Sequence, residues 1–499
     1  MPAITFLPGN QSIEVSEGIT VLEAIQKAGL SIDSPCGGHG KCGKCRIRPA
    51  GQESDTLACR TIIERDMTVS ISGAPSNTHI LTDGISVNTR LDPIKPGSIL
   101  AAVDIGTTTM VCYLLDGKTG ELISSASMLN PQYPFGSDVI SRIQAAKNGN
   151  FTSLVSSLRT GVAELIQSAC KSADQTVCPD VISTICFVGN PTMQQFFLGL
   201  PVDNLASPPF QRLLEHAQAQ CAEELLPLCA QAELVTLPDI AGYVGGDTMG
   251  CILSTRMYEQ MPLTLLLDIG TNGEMVIGNR DRLAATSTAA GPALEGAGIT
   301  FGMRGAKGAI DHVSLTEEGG FACHVIGDVT PQGICGSGLI DAVAAMLELG
   351  LINKRGRIER GYEELQGNRV VRLTEEIYLS QEDIRAVQMA KGAIAAGIEL
   401  LCAHLGKAPG DLERVYLAGA FGSYISPASA CRIGLIPPVL LDKISAVGNA
   451  AGSGARLCAM NRTELTLTDK LVRKTDAVEL SALSAFQRTF AKQMLFPAF

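Results

Sequence analysis

At 499 residues the chain exceeds one ordinary domain and predicts roughly two to four units. A hydrophobic share of 45% suits a globular core, and 52 glycines suit tight loops against ligands. The net charge of −11, with no clustered run of Lys and Arg, argues against nucleic acid as the main partner. The opening MPAITFLPGN lacks a basic segment followed by an apolar one, so no signal peptide is expected. No uninterrupted apolar run reaches the ~18–20 residues of a membrane span, and a cytoplasmic protein without membrane association is expected. Sixteen cysteines then read as free thiols or metal ligands, not disulfides. The six histidines do not cluster, so no second metal site is indicated.

Residues 1–75 form the first predicted domain. Ile4–Leu7 and Ser12–Val15 alternate as two strands around Pro8-Gly9-Asn10. A short helix follows, with Thr20 as N-cap, Glu23 three residues on and Gly29 as C-cap. Then Cys36, Cys42 and Cys45 are spaced C-x5-C-x2-C, with Cys59 beyond and Gly37, Gly38, Gly40 and Gly43 between them. Four thiolates are the ligand count of a [2Fe–2S] cluster, and glycines let backbone N–H groups approach the sulfurs. The pattern resembles plant- and vertebrate-type ferredoxins. It departs from them in a first gap of five rather than four and in the closeness of the fourth cysteine. A four-cysteine zinc site is the alternative; the five-residue gap and the preceding strands disfavour it. Residues 76–98, polar and ending Asp92-Pro93-Ile94-Lys95-Pro96-Gly97, read as a linker.

From Ile99 strands alternate with helices, the α/β pattern. Ala101-Ala102-Val103-Asp104-Ile105-Gly106-Thr107 echoes as Leu265-Leu266-Leu267-Asp268-Ile269-Gly270-Thr271, about 160 residues later. Each copy reads as a buried strand, an Asp-x-Gly-Thr turn and a second strand. The duplication predicts two halves, 99–260 and 261–499, with the ligand between them. Backbone N–H groups and hydroxyls of Gly106, Thr107, Thr108, Gly270, Thr271 and Asn272 suit phosphate oxygens, and Asp104 suits Mg²⁺, directly or through water. Val415 to Ser423 reads as a strand running into a glycine turn, where Gly419, Ala420 and Gly422 would cradle adenosine. Val447 to Ala455 reads as a Gly/Ala helix packed closely on another helix. Val188-Gly189-Asn190-Pro191-Thr192-Met193 is expected to start the corresponding segment of the first half. The order resembles the actin, sugar-kinase and heat-shock-chaperone superfamily over residues 99–460. No Walker A motif is present.

Three further stretches are Ala290 to Ile299 with Gly302-Met303-Arg304, Gly333 to Asp341, and Leu417 to Gly422. Together with the cysteine loop they resemble the reductive activators of corrinoid-dependent methyltransferases, over almost the whole chain. The fold this implies is multidomain, α+β and α/β: a β-grasp ferredoxin-like domain and a duplicated actin-like (ribonuclease H-like) ATPase. The activity implied is ATP-dependent transfer of one electron from the cluster to a Co(II) corrinoid protein, restoring Co(I). The cofactors implied are a [2Fe–2S] cluster, ATP and Mg²⁺. The partners are a corrinoid protein and an upstream low-potential electron donor, with a homodimer as the assembly to test. Asp104 and Asp268 would organise Mg²⁺ and the attacking water, one as base, and Asp247 would be a further Mg²⁺ or water ligand or else a turn residue. Glu274 is either a site residue or a surface strand residue. Glu295 and Arg304 would contact nucleotide or corrinoid protein, or pair with each other. Cys335 is the cysteine to watch outside the cluster. Three alternatives remain. They are a small-molecule kinase with a redox-sensing ferredoxin, a non-hydrolysing nucleotide-gated electron carrier, and an activator of a dehydratase-type radical enzyme.

Overall fold

The computed structural model describes the chain except residues 29, 31, 33, 35–37, 39, 41–44, 53, 72–83, 87, 174–176, 366 and 499 and the side chain of residue 420. It divides into two compact units, Met1–Thr78 with Pro131–Ser157, and His79–Asn130 with Leu158–Phe499.

In the first unit, strand β1 (Ala3–Leu7) buries Ile4 and Phe6 and pairs antiparallel with β2 (Gln11–Glu14). Helix α1 (Val21–Lys27) starts at Thr20. The Thr20 hydroxyl accepts from the Glu23 N–H, and the Glu23 carboxylate accepts from the Thr20 N–H, the reciprocal cap that the spacing predicts. Its apolar stripe of Val21, Leu22, Ala24 and Ile25 joins Ile4, Phe6, Ile47 and Val69 in one core. Strands β3 (Arg46–Pro49), β4 (Thr56–Leu57) and β5 (Met67–Ile71) complete a mixed sheet of order β2-β1-β5-β3-β4, with β1 and β5 parallel. This is a β-grasp. The expected C-cap Gly29 lies outside the described residues.

Pro131–Ser157, assigned from sequence to the first ATPase half, groups with this unit. It carries α2 (Val139–Ala145), capped by Asp138. The fully buried Arg142 ties the segment together by donating to Gly136 O at 2.9 Å and Gln132 Oε1 at 3.1 Å. Gln26 of α1 donates to Pro134 O at 2.6 Å. A loop carbonyl satisfied by a ferredoxin side chain is the physical reason for the grouping.

The second unit is a duplication. Its first half runs β6 (Ile99–Ile105), β7 (Thr109–Asp116), β8 (Leu122–Leu129), α3 (Phe151–Ala173, in this unit from Leu158 onward), β9 (Ile182–Gly189), α4 (Pro191–Leu198), β10 (Gln218–Cys221), β11 (Glu233–Thr236) and α5 (Gly246–Thr255). The sheet order is β10-β11-β9-β6-β7-β8. The second half opens with β12 (Thr264–Ile269), β13 (Gly273–Gly278) and β14 (Leu283–Thr288). A small sheet follows, β15 (Ala309–Leu315), β16 (Phe321–Val325) and β17 (Gly333–Ile334), then α6 (Gly336–Glu348). A second small sheet is β18 (Glu363–Leu365), β19 (Asn368–Arg372) and β20 (Tyr378–Ser380). Then come α7 (Gln381–His404), β21 (Arg414–Ala418), α8 (Gly419–Tyr424), α9 (Pro427–Arg432), β22 (Ile444–Gly448), α10 (Ala450–Met460), α11 (Arg462–Lys474) and β23 (Thr475–Ala477). The order β22-β21-β12-β13-β14 repeats β11-β9-β6-β7-β8, with β6 parallel to β9 as β12 is to β21, while β10 and β23 extend opposite edges.

This topology corrects one correspondence read from sequence. The helix after β9 is α4, so Asn190-Pro191 matches the Gly419 turn after β21. The counterpart of α10 is α5, which follows β11 as α10 follows β22. Side chains of α5 and α10 share one core with both main sheets. The two helices cross glycine to glycine: a Cβ on Gly454 would fall 2.2 Å from Gly250 O, and one on Gly250 would fall 2.7 Å from Ala451 O.

The stretch 84–98 is not free linker. The Asp92 N–H donates to Met460 O at 2.8 Å, Ser453 Oγ donates to Ile85 O at 3.2 Å, and Arg462 pairs with Asp92 at 3.1 Å. Prolines stop it forming sheet, but its polar groups still find partners on α10 and α11. Helix α7 is long and apolar enough to cross a membrane, yet Val387, Ala390, Ile394, Ile398 and Leu401 are buried within the second half. The C-terminal stretch docks there too: Phe496 is buried, and Lys391 donates to Leu495 O at 2.6 Å.

Candidate functional site

Asp104 and Asp268 stand near the C-terminal ends of β6 and β12, where parallel sheets characteristically open a ligand crevice. Each strand turns directly into a hairpin partner. The second turn is tightened by the Gly270 N–H donating to Asn272 O at 2.8 Å. Glu274 lies opposite Asp268 on β13, and Asp247 sits in the first turn of α5. Asp247 is therefore not a loop-turn residue, and Glu274 is not on an outer surface.

Burial raises all four carboxylates, and the charge of Asp247 adds to it at Asp104, Asp268 and Glu274. Burial pushes Asp104 up to about 7, with the charges of Asp247 and Asp268 adding to it and a hydrogen bond from Asn449 opposing it. Burial and Asp247 push Asp268 up to about 7. Burial pushes Asp247 up to about 6, against the pull of the Thr248 N–H and hydroxyl. Glu274 is driven well above the usual range by burial and by Asp247 and Asp268. A cation placed among acids in this arrangement favours their ionised forms. Among the described residues no three ligating side chains converge closely enough to hold a metal ion. Carboxylate oxygens are the donors that a hard divalent cation takes, directly or through its own water.

Three asparagines escaped the sequence reading. Asn449 caps α10 by accepting from the Gly452 N–H at 2.7 Å, and its amide donates to Asp104 at 2.9 Å, linking the second half to the first. Asn190 caps α4 by accepting from the Met193 N–H at 3.0 Å and donates to Thr107 at 2.9 Å. Asn130 donates to Gly106 O at 2.8 Å. A signal was present for two of them: the tripeptide Val-Gly-Asn occurs at 188–190 and 447–449, each time between a strand and a helix.

Other expected residues fall differently. Gly419, at φ +78°, backs onto Asp268, and a Cβ there would come 2.4 Å from its carboxylate oxygen. Gly422 packs against Leu417, and the Ala420 side chain lies outside the described structure. The Thr108 and Thr271 hydroxyls both donate to the Glu295 carboxylate, at 2.9 and 2.7 Å. The stretches singled out by the family resemblance converge there. A Cβ on Gly336 would strike Leu294 O and the Phe421 ring. Cys335 is buried with its thiol pushed up by burial, which marks it as inert.

In the first unit, Cys45 is buried and Cys59 is part-exposed, and their sulfurs approach to 3.3 Å. Two sulfurs converging at the end of a glycine-bearing loop fit ligands of one iron. Gly38, at φ +91°, lies against Leu22 of α1 and Cys59. Cys36 and Cys42 lie outside the described residues. Cys59 also lines an open recess with Gln26, Pro134 and Phe135.

Comparison with known proteins agrees with this architecture. Residues 4–64 match the 2Fe-2S iron-sulfur cluster binding domain, residues 100–260 the RACo middle region, and residues 262–499 the C-terminal domain of RACo, the ASKHA domain. A corrinoid activation enzyme, RamQ, from Eubacterium limosum is 31% identical over 97% of this chain and 98% of its own. A [Co(II) methylated amine-specific corrinoid protein] reductase from Methanosarcina barkeri is 26% identical over 78% of this chain and 74% of its own. The solved structure of a reductive activator for corrinoid,iron-sulfur protein covers all of this chain and 98% of its own, with 27% identity and a TM-score of 0.75. The chain belongs to the family of reductive activators of corrinoid proteins, with a [2Fe–2S] ferredoxin domain and an ASKHA ATPase.

Proposed function

We propose that the chain moves one electron from its [2Fe–2S] cluster to a Co(II) corrinoid protein of a methyltransferase system, driven by ATP. The cluster is oxidised by one electron and cobalt is reduced to Co(I). The observation that carries the nucleotide half is the Asn449 to Asp104 hydrogen bond beside Asp247, Asp268 and Glu274. It draws residues from both halves onto one acidic crevice between duplicated Asp-Ile-Gly-Thr turns.

In this reading Cys36, Cys42, Cys45 and Cys59 hold the iron, and the half-exposed Cys59 marks where an electron leaves or enters. Asp104, Asp247 and Asp268 would hold the Mg²⁺ that accompanies ATP, directly or through water, and its charge would favour their ionised forms. Asp268 orients the attacking water, Gly106, Thr107, Gly270 and Asn272 hold phosphate oxygens, and the Gly419 turn faces the adenosine side. The energetics require coupling. A plant-type cluster sits near ~−400 mV, and each ~60 mV uphill costs about 1.4 kcal/mol for one electron. A nucleotide corrects this only by binding one protein state more tightly than another. A low-potential donor in the cytoplasm re-reduces the cluster.

The test is anaerobic. Reduced protein, MgATP and a Co(II) corrinoid protein are mixed and the Co(I) absorption band is followed. ATP-dependent Co(I) is expected. Electron transfer that is the same without ATP would leave only a nucleotide-indifferent carrier.

A further inference from the structure

Glu295 belongs to no turn of the duplicated motif, yet it touches both. Its two carboxylate oxygens accept from Thr108, of the first Asp-Ile-Gly-Thr turn, and from Thr271, of the second. It is held there from behind. It ends the short helical turn Pro292–Glu295, and Gly296 follows at φ +80°. Leu294 O lies so close to Gly336 that no side chain fits between them. The Glu295 oxygen also lies over the second turn: a Cβ on Gly270 would meet it at 3.6 Å.

A threonine hydroxyl has one proton and two lone pairs. Once it donates to Glu295 it offers only lone pairs to anything else. Such a hydroxyl suits a cation or its water, and cannot donate to a phosphate oxygen. Glu295 and a polyphosphate therefore compete for the same two protons, and as like charges they also repel.

We propose that Glu295 is an anionic latch joining the two phosphate turns, and that a nucleotide polyphosphate must displace it. Displacement frees one hydroxyl from each half for the phosphates and removes the Glu295 tie between the two turns. Glu295 acts here as a positioning residue, through the threonines. The inference rests on the nucleotide-site reading given above.

The test is equilibrium binding of MgATP and of adenosine to the full-length protein. Wild type that binds neither ligand overturns the nucleotide site itself, and the latch with it. If wild type binds, Glu295→Ala is expected to take MgATP about tenfold more tightly, a change of about 1.4 kcal/mol, with adenosine unaltered. Glu295→Gln, which keeps the size and loses the charge, should fall between. MgATP affinity that is unchanged or weaker in both variants overturns the latch alone. Where Glu295→Ala melts early, Thr108→Val with Thr271→Val supplies the control. On that background Glu295→Gln should change MgATP affinity less than about twofold. A full gain retained there would mean bare repulsion, and would also overturn the latch.

Discussion

The two halves of the second unit carry one turn, Asp-Ile-Gly-Thr, at one strand end, but their carboxylates keep different company. Asp104 receives an amide proton from Asn449 of the opposite half. Asp268 faces the bare α-carbon of Gly419, and its polar side-chain contact among the described residues is the Cys251 thiol at 4.0 Å. Duplication supplied a symmetric scaffold, and the site on it is asymmetric. Asp104 is held by an amide of the other half at 2.9 Å, whereas Asp268 meets the other half only through that distant, weak thiol donor among the described residues. The largest expected effect follows from that difference. Asp268→Ala should lower ATP turnover a hundredfold or more, the scale of a lost general base, with the iron–sulfur absorption spectrum intact. Asp104→Asn should cost nearer tenfold. Steady-state phosphate release checks both. Equal losses would erase the asymmetry, and a lost spectrum would show the cluster to depend on the nucleotide site.

The halves are also joined below the site, where α5 and α10 cross at Gly250 and Gly454 with backbone in contact. Gly454→Ala places a methyl group onto Gly250 backbone atoms 2.2–2.5 Å away, which neither helix can absorb by a rotamer change. Overpacking of this kind costs about 1–3 kcal/mol. The urea midpoint of the unfolding phase assigned to the second unit should fall accordingly. An unshifted midpoint would mean that the helices part freely, and that the halves are joined only through the site.

The raised acids give a pH signature whose sign is fixed. With folded values near 7 for Asp104 and Asp268 against about 4 in an unfolded chain, the folded protein holds these protons more tightly. Their contribution to stability is complete below pH ~4 and is lost as pH rises through ~7. Without Mg²⁺ the melting temperature should therefore decline across that window. Asp268→Asn and Asp104→Asn should each recover a few degrees at pH 8, on the order of 2–4 °C, and nothing at pH 4. Scanning calorimetry at both pH values decides it. A gain as large at pH 4 would point to packing instead of charge.

What sequence made legible was whatever has a local cause. The Thr20 and Glu23 cap, the cysteine loop and the paired Asp-x-Gly-Thr turns each declare themselves within a few residues. What it hid depends on distant partners. Residues 131–157 lie within the first ATPase half in chain order, and nothing local in them reveals that they group with the ferredoxin-like unit, where Gln26 donates to Pro134 O. The stretch 84–98 looked like linker because prolines and charges break periodicity, although backbone hydrogen bonds to α10 hold it. That the Thr108 and Thr271 hydroxyls donate to one carboxylate was hidden, because nothing in either turn reveals Glu295. The Val-Gly-Asn repeat was visible, but matching it by similarity paired α4 with α10. Strand order alone shows that α5 is the true counterpart.

That repeat offers the smallest and most discriminating test. Asn190 and Asn449 both cap a helix, so Asn190→Ala and Asn449→Ala should each lose about 1 kcal/mol of stability, measured by denaturant midpoint. They part company in chemistry. Asn190 donates to a neutral hydroxyl, that of Thr107. Asn449 donates to a carboxylate, and its hydrogen bond is the influence holding Asp104 down against burial and its charged neighbours. Removing it should carry Asp104 further upward. The acid limb of the pH profile for ATP turnover should then move to higher pH in Asn449→Ala and stay in place in Asn190→Ala. Equal profiles would show that Asp104 is not the group whose ionisation turnover requires, and would make the cross-half hydrogen bond a cap with an incidental neighbour.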